Sequence, residues 1–367
     1  MSNLKKNIFI SIVIPCYNAA DFLDSCINSI VSQKSKLIET NNIEIILIDD
    51  ASTDNNKTKN KISELTNSYT CVKAIYLDKN DGQAMARNAG INAASGTYIG
   101  FVDADDIVNY NLFQEIEDSF KQHTQPDIVI WGLEEQHFNK NNNLVKTVEV
   151  VPEPCLVSTK NEILEKSIRL EEQTLLGYLW NKLYKRSMLQ NNSITLPKEH
   201  LIEDILFNIE SFDKAKSIKC INKPLYYYAR RIDNKTSVTS EYLHDYFDQY
   251  TVKINKLINW YKNNNMYNEN VKQVLATEYL RYAISAVWRN TNSTLNSKSQ
   301  KEWIRNFYNL PLTKELLTYT NPKGRLAKIN SNLFKNKRTN LIFIEAKIIN
   351  FVNKYMGNLL IKLRQSR

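Results

Sequence analysis

Glycine is scarce in this chain, with eight in 367 residues. No Gly-x-Gly-x-x-Gly follows a predicted strand, and no Gly-x-x-x-x-Gly-Lys-Ser/Thr occurs. A glycine loop cradling phosphate through backbone N–H groups is therefore a poor expectation here. Histidine is scarcer still, at four, and the five cysteines (Cys16, Cys26, Cys71, Cys155, Cys220) include no Cys-x-x-Cys pair. A structural zinc site is not supported, and an odd, dispersed set of thiols fits a reducing compartment. Uninterrupted apolar runs of the ~18 residues that a spanning helix needs are missing. Lys5 and Lys6 precede an apolar run, Ile8 to Ile14, as in a secretory leader. The run ends in Pro15-Cys16-Tyr17-Asn18 without a small-residue cleavage site, so a buried strand accounts for it better.

What is present is a globular composition. Hydrophobic residues make up 43% of the chain, and its length of 367 residues is enough for one large domain and a smaller one. The net charge of +9 and pI near 9.0 permit binding to polyanions, nucleotide phosphates or an acidic membrane face, and select none of them.

The first 132 residues alternate regularly. Strands are expected at Phe9–Ile14, Ile43–Ile48, Val72–Leu77, Tyr98–Val102 and Asp127–Trp131. Helices are expected at Ala20–Ser32, Asn55–Leu65, Gln83–Ala94 and Leu112–Phe120. Continuous apolar strands between amphipathic helices predict an α/β fold with a mostly parallel central sheet. Residues 133–175 read as a polar, irregular excursion with a strand near Thr147–Val151, and residues 176–240 as mixed structure. The pattern from about Tyr242 onward is largely helical. The expected division is an α/β domain over 1–240 and a helical C-terminal region over 241–367.

Ligands of such sheets bind beyond the carboxyl ends of the strands. Four strand ends carry Pro15-Cys16-Tyr17-Asn18, Asp49-Asp50-Ala51-Ser52-Thr53-Asp54, Asp78-Lys79-Asn80-Asp81-Gly82 and Asp103-Ala104-Asp105-Asp106. Clustered carboxylates repel and resist desolvation. At a strand end they either form a polar turn and helix cap or hold a hard divalent cation. Without a glycine loop, a diphosphate on this rim needs a metal. The residues alone leave both readings open.

These four segments, with Ala86-Arg87-Asn88-Ala89-Gly90, resemble the motifs of family 2 inverting glycosyltransferases of GT-A fold. Trp180-Asn181-Lys182-Leu183-Tyr184, Glu203-Asp204 and Tyr226-Tyr227-Tyr228-Ala229-Arg230-Arg231 extend the resemblance toward the bacterial capsule, lipopolysaccharide and exopolysaccharide enzymes. It fades after about residue 240.

The resemblance implies a nucleotide-sugar site of Pro15, Tyr17, Asn18, Asp50, Asn80, Gly82, Arg87, Asp103 and Ala104. Asp50 is to accept from the uracil imide, since a carboxylate only accepts; the alternative is a helix cap. Asp105 is to ligate Mn²⁺ or Mg²⁺ directly, with Asp103 on the ribose or a metal-bound water, and Asp106 capping a helix. Arg87 is either a phosphate contact or a clamp on Asp50 or Asp103. Gly82 and Gly90 are to permit tight turns and close packing. Asp204 is the expected base, with Glu203 the alternative; the bland reading is a pair of acids in a first helical turn. Trp180 and Lys182 are to flank the acceptor, with Trp180 as core the other reading. Arg230 and Arg231 are to close on the diphosphate, and His200 has a minor place as a phosphate or metal contact.

The resulting expectation is a metal-dependent inverting hexosyl- or N-acetylhexosaminyltransferase. It carries sugar from a UDP-sugar to a hydroxyl of a bacterial surface glycan or lipid-linked saccharide. No nucleic acid partner is expected, and the sequence leaves the oligomeric state open. Its expected place is the cytoplasm. The basic, amphipathic C-terminus is consistent with peripheral contact on the inner face of the plasma membrane. The alternatives are a sugar-phosphate nucleotidyltransferase and a degenerate transferase serving as a glycan-binding scaffold.

Overall fold

The structure, a computed structural model, describes residues 9–121, 125–139, 143–199, 201–231 and 245–355, the side chains of 121, 231 and 353–355 excepted. The chain forms two compact units, Met1–Asp233 and Asn234–Arg367.

The first unit runs β1 (Ile10–Cys16), α1 (Ala20–Val31), α2 (Lys36–Glu39), β2 (Ile43–Asp49), α3 (Lys57–Ser68), β3 (Val72–Tyr76), α4 (Gln83–Ala93), β4 (Tyr98–Phe101), β5 (Ile107–Val108) and α5 (Leu112–Lys121). It continues with β6 (Ile128–Phe138), β7 (Leu144–Val150), β8 (Cys155–Val157), α6 (Lys160–Glu172), β9 (Lys182–Lys185), α7 (Arg186–Asn191), α8 (Glu203–Lys214) and β10 (Ile218–Arg231). Strand β2 is buried at every position and β1 at all but Pro15, the pattern of strands covered on both faces. Helix α1 buries the stripe Leu23, Cys26, Ile27 and Ile30, residues spaced to share one helical face.

One sheet has the order β3-β2-β1-β4-β9-β6-β10-β5, with β7 on β6 and β8 on β10. The block β3-β2-β1-β4 is parallel throughout. Beyond it, β9 is antiparallel to both β4 and β6, and β10 is parallel to β6. The parallel sheet foreseen from the alternating pattern is thus the N-terminal part of a mixed sheet. In the parallel block β1 lies between β2 and β4, so the ends of these three strands share one rim.

Residues 133–175 are more regular than their polarity suggests. Strand β6 continues to Phe138 and pairs with β7 as a hairpin. Helix α6 starts on a capping box, in which Glu162 N donates to Thr159 Oγ1 and Thr159 N donates to Glu162 Oε2. Thr159 and Glu162 have the Thr-x-x-Glu spacing that a capping box requires.

The second unit contains α9 (Tyr246–Asn263), α10 (Glu269–Thr291), α11 (Ser297–Phe307), α12 (Pro311–Leu316), α13 (Arg325–Lys335) and α14 (Thr339–Tyr355). Its core is aromatic. Phe307 packs against Phe247, Tyr279, Trp303 and Phe334. Among the described residues, no helix is long and apolar enough to cross a membrane.

Candidate active site

The site is assembled by α4. Gly90 sits so close to β1 that an added Cβ would lie 2.3 Å from Val13 Cγ1, which seats the helix on the sheet. Asn88, two residues earlier, pins a distant segment. Its Nδ2 donates to Leu196 O and its Oδ1 accepts from Leu196 N, both at 2.8 Å. The chain leading into α8 is therefore held beside α4. Arg87, only 2% exposed, then bridges two acids. Nη2 donates to Asp103 Oδ1 at 2.8 Å, and Nη1 donates to Asp204 Oδ1 at 3.2 Å. Of the two sequence-level readings of Arg87, the structure shows the clamp. Its partners are Asp103 and Asp204, while Asp50 is bonded elsewhere.

Both acids at the start of α8 are hard to ionise. Burial pushes the Asp204 carboxyl up to about 7; Glu203 and Asp103 push the same way, and Arg87 only partly offsets them. Burial also raises Glu203. Glu203 Oε2 is buried with no hydrogen-bond partner among the described residues. Asp204 keeps 30% of its side chain exposed. A carboxyl near neutral, held by an arginine and open on one side, can exchange a proton at physiological pH.

The turn after β4 is fixed by Tyr226 on β10. Its hydroxyl donates to Asp106 Oδ2 at 2.6 Å and accepts from Asp103 N at 3.3 Å. Asp106 precedes β5, not a helix, so the helix-cap expectation for it is corrected: it anchors the turn to β10. Ala104 is buried and Asp105 exposed. Among the described residues, no group of three or more His, Cys, Asp or Glu is placed to hold a metal ion. Two hard carboxylates on one turn still fit Mg²⁺ or Mn²⁺ if the remaining ligands are diphosphate and water, which is how such ions commonly bind.

The neighbouring rim is stitched by side chains. Asp50 is 3% exposed, and its two oxygens accept from Asp81 N (3.1 Å) and Gly82 N (3.0 Å). Gly82 N also reaches Asn80 Oδ1 at 3.1 Å, and Gly82 has φ +88°, a region glycine tolerates. Asp50 thus holds the loop between β3 and α4. Asp49 accepts from Ser52 N (3.1 Å) and Oγ (2.6 Å). Asn18 Oδ1 accepts from Thr53 N at 2.8 Å, and the exposed Tyr17 hydroxyl lies 3.2 Å from Thr53 Oγ1. Pro15 is half-buried at the end of β1. The end of β1 and the turn after β2 therefore form one surface.

Trp180 is 4% exposed. It stacks on Tyr226 (4.1 Å between centroids) and Tyr178 (4.3 Å), with Tyr228 at 5.7 Å. Of its two readings the structure gives the core one; the half-buried rings beside it are Tyr178 and Tyr228. Lys182, expected on the acceptor, is instead fully buried. Its Nζ donates to Leu175 O (2.8 Å), Tyr178 O (2.5 Å) and Asn181 Oδ1 (2.7 Å). Burial lowers it to about 7. With Asn208, whose Nδ2 donates to Gly177 O and Tyr178 O, it ties down the loop that carries Tyr178 and Trp180. Arg230 is exposed, lies over the Tyr228 ring and pairs with Glu135. His200 and the Arg231 side chain lie outside the described residues. Asn88, Tyr178 and the Tyr226 hydroxyl were not singled out from sequence. For Tyr226 alone the sequence held a signal, its alternation with Tyr228 and Arg230 along one strand, which places the three on one face.

This mixed α/β sheet, with carboxylates on the rim after β2 and β4, has the GT-A fold of glycosyltransferases. Over 95% of its length the chain superposes on 92% of residues 1–349 of Staphylococcus aureus TarS, solved with UDP-GlcNAc, at a TM-score of 0.63 and 19% identity. Residues 11–191 match the family model for glycosyl transferase family 2, and this segment belongs to that family. It is 31% identical to the uncharacterized glycosyltransferase EpsJ of Bacillus subtilis, over 62% of this chain and 63% of that protein. The match to the B. subtilis putative glycosyltransferase EpsH is 26% identical and covers 60% of that protein, so the chain spans about three fifths of these two relatives. The poly(ribitol-phosphate) beta-N-acetylglucosaminyltransferase TarP of S. aureus is 26% identical, over 81% of this chain and 86% of that protein.

Proposed function

We propose that this chain is an inverting glycosyltransferase that moves a sugar from a UDP-sugar to a hydroxyl of a bacterial surface glycan. The observation that carries this reading is the Arg87 bridge between Asp103 on the nucleotide rim and Asp204 at the start of α8. It brings a donor-side acid and a near-neutral acid to one guanidinium. Relatives support the substrate class. TarS binds UDP-GlcNAc, and TarP is named for transfer to poly(ribitol phosphate) with a beta linkage. A beta product from an alpha-linked nucleotide sugar is an inversion.

In this reading Asp204 takes the proton of the acceptor hydroxyl as its oxygen attacks the anomeric carbon. The bond to the UDP oxygen breaks on the opposite face, and the anomeric configuration inverts. Arg87 keeps Asp204 oriented and keeps its pKa from rising further. Glu203 raises that pKa and stands as the alternative base. Asp50 shapes the base pocket through the 81–82 loop. Tyr17, Asn18 and Pro15 line it, and Arg230 closes on the diphosphate. Tyr178 and Tyr228 offer ring faces to acceptor sugar. Asp105 and Asp103 would hold Mn²⁺ or Mg²⁺, which supplies Lewis-acid stabilisation of the leaving diphosphate.

The test is hydrolysis and transfer with a panel of UDP-sugars, with Mn²⁺ and with EDTA. The expected result is metal-dependent UDP release that Asp105→Ala abolishes while the circular dichroism spectrum is kept. Equal turnover in EDTA removes the metal from the reading. Consumption of sugar phosphate and nucleoside triphosphate, with no UDP-sugar turnover, replaces it with nucleotidyl transfer.

A further inference from the structure

The charge of this chain is unevenly placed. Residues 323–367 hold eleven of the 48 Lys and Arg but one of the 39 Asp and Glu, so they carry +10 and the preceding 322 residues carry −1. The single acid, Glu345, accepts a hydrogen bond from Asn330 at 2.9 Å. Lys323, Arg325, Lys328, Lys335, Lys337 and Arg338 are all exposed.

Helix α14 runs through this segment and is apolar on two sides. It buries Ile342, Phe343 and Ala346 in its own unit. It exposes Leu341 (51%), Ile344 (52%), Ile348 (56%) and Phe351 (58%). Steps of three, four and three residues keep these side chains on one stripe. Helix α13 exposes Leu326 and Ile329 as well. Isolated exposed apolar residues are ordinary, but a continuous stripe marks an interaction face.

We propose that α13 and α14 dock this unit on an anionic lipid bilayer. The apolar stripe enters the boundary between headgroups and acyl chains, and the surrounding Lys and Arg lie against the anionic headgroups. Charge selects this occupant over a second copy of the chain, because self-association brings +10 against +10. The helices lie on the membrane, since none described can cross it. The inference goes beyond the donor-site reading and does not depend on it.

Flotation of the full chain with vesicles tests the inference. One set mixes phosphatidylglycerol with phosphatidylcholine, and the other is phosphatidylcholine alone. Binding is expected on the anionic set, at least about tenfold weaker on the neutral set and weakened by high salt. Ile344→Ser with Ile348→Ser removes half the stripe and should lower partition by at least about tenfold. Arg325→Gln, Lys328→Gln and Arg338→Gln together should lower it on the order of a hundredfold. Both variants should keep the circular dichroism spectrum and the solution hydrolysis of UDP-sugar, so loss of docking and loss of catalysis are read separately. Three results overturn the proposal: no binding to any vesicle, equal binding to neutral ones, or a dimer in solution that the serine pair dissociates.

Discussion

Arg87 Nη1 and Asp204 Oδ1 lie 3.2 Å apart across 117 residues of sequence. The same guanidinium holds Asp103, so one buried cation neutralises acids from the end of β4 and the start of α8. Without it, Asp103, Glu203 and Asp204 would face one another in a partly desolvated site, where like charges raise one another's pKa. The pair is thus electrostatic scaffolding for the acid that the proposed reaction uses. Burial makes Asp204 hard to ionise, and Arg87 limits how hard.

Arg87→Met should expose that balance. Removing one partner of a buried ion pair leaves uncompensated charge and typically costs on the order of 3 kcal/mol. The Asp204 pKa should rise above about 7. The acid limb of kcat/KM should then move to higher pH, with activity at neutral pH falling by roughly a hundredfold or more. Urea unfolding and a pH–rate profile read the two effects separately. An unmoved acid limb with normal turnover would separate Arg87 from the base.

Asp204→Asn should remove transfer to acceptor while UDP binding persists, measured by calorimetry and by product formation. It should also change stability with a defined sign. Asp204 has a folded pKa raised to about 7, so the folded state binds more protons than the unfolded state between the ordinary carboxyl range and 7. Its contribution to stability is therefore lost as pH rises through that window. The asparagine variant lacks this loss and should gain melting temperature relative to wild type at pH 8 but not at pH 4. A wild-type-like rate for the variant moves the base to Glu203.

The acids of this site were legible because motif residues sit next to one another in the chain: Asp103-Ala104-Asp105-Asp106 and Glu203-Asp204. The parallel strands were legible for the same reason, as continuous apolar runs with helices between. What joins them was not. Asn88 meets Leu196 across 108 residues, and Tyr226 meets Asp106 across 120; no local pattern encodes either pairing. Lys182 shows a different failure. A lysine after Trp180 reads like a ligand contact, yet here its ammonium satisfies three carbonyl oxygens in the interior. A buried structural cation and a site cation have the same one-letter code until the carbonyls around them are known. The antiparallel half of the sheet escaped because β9 is four residues long and carries little periodicity.

Tyr226→Phe isolates the hydroxyl that ties the acidic turn to β10. The ring keeps its stacking on Trp180, while Asp106 Oδ2 and Asp103 N lose a partner. Losing a hydrogen bond made to a buried polar group costs ~1–3 kcal/mol. Because the lost bonds fix the backbone of Asp103, the metal requirement should shift too, with a several-fold higher Mn²⁺ concentration for half-maximal UDP release. Unchanged metal titration with lowered stability would make Tyr226 a packing residue only.

Glu44 offers a stability test remote from the acidic rim. It is 1% exposed at the start of β2. It accepts from Lys73 Nζ and Ser11 Oγ, each at 2.5 Å, and from Ser95 N at 2.7 Å. Burial alone would raise its carboxyl, but Lys73, Ser11 and Ser95 outweigh burial and hold it at about 2. A carboxyl depressed in the folded state stabilises fully above its ordinary range, and that stability is lost as pH falls toward 2. Glu44→Gln keeps the shape but gives up the charge-assisted bonds. It should therefore lower unfolding free energy at pH 7 by up to about 3 kcal/mol, with the gap to wild type closing as pH falls below about 4. Denaturant melts at several pH values measure this directly. A gap constant with pH would mean that the charge of Glu44 contributes nothing and that the bonds act as neutral ones.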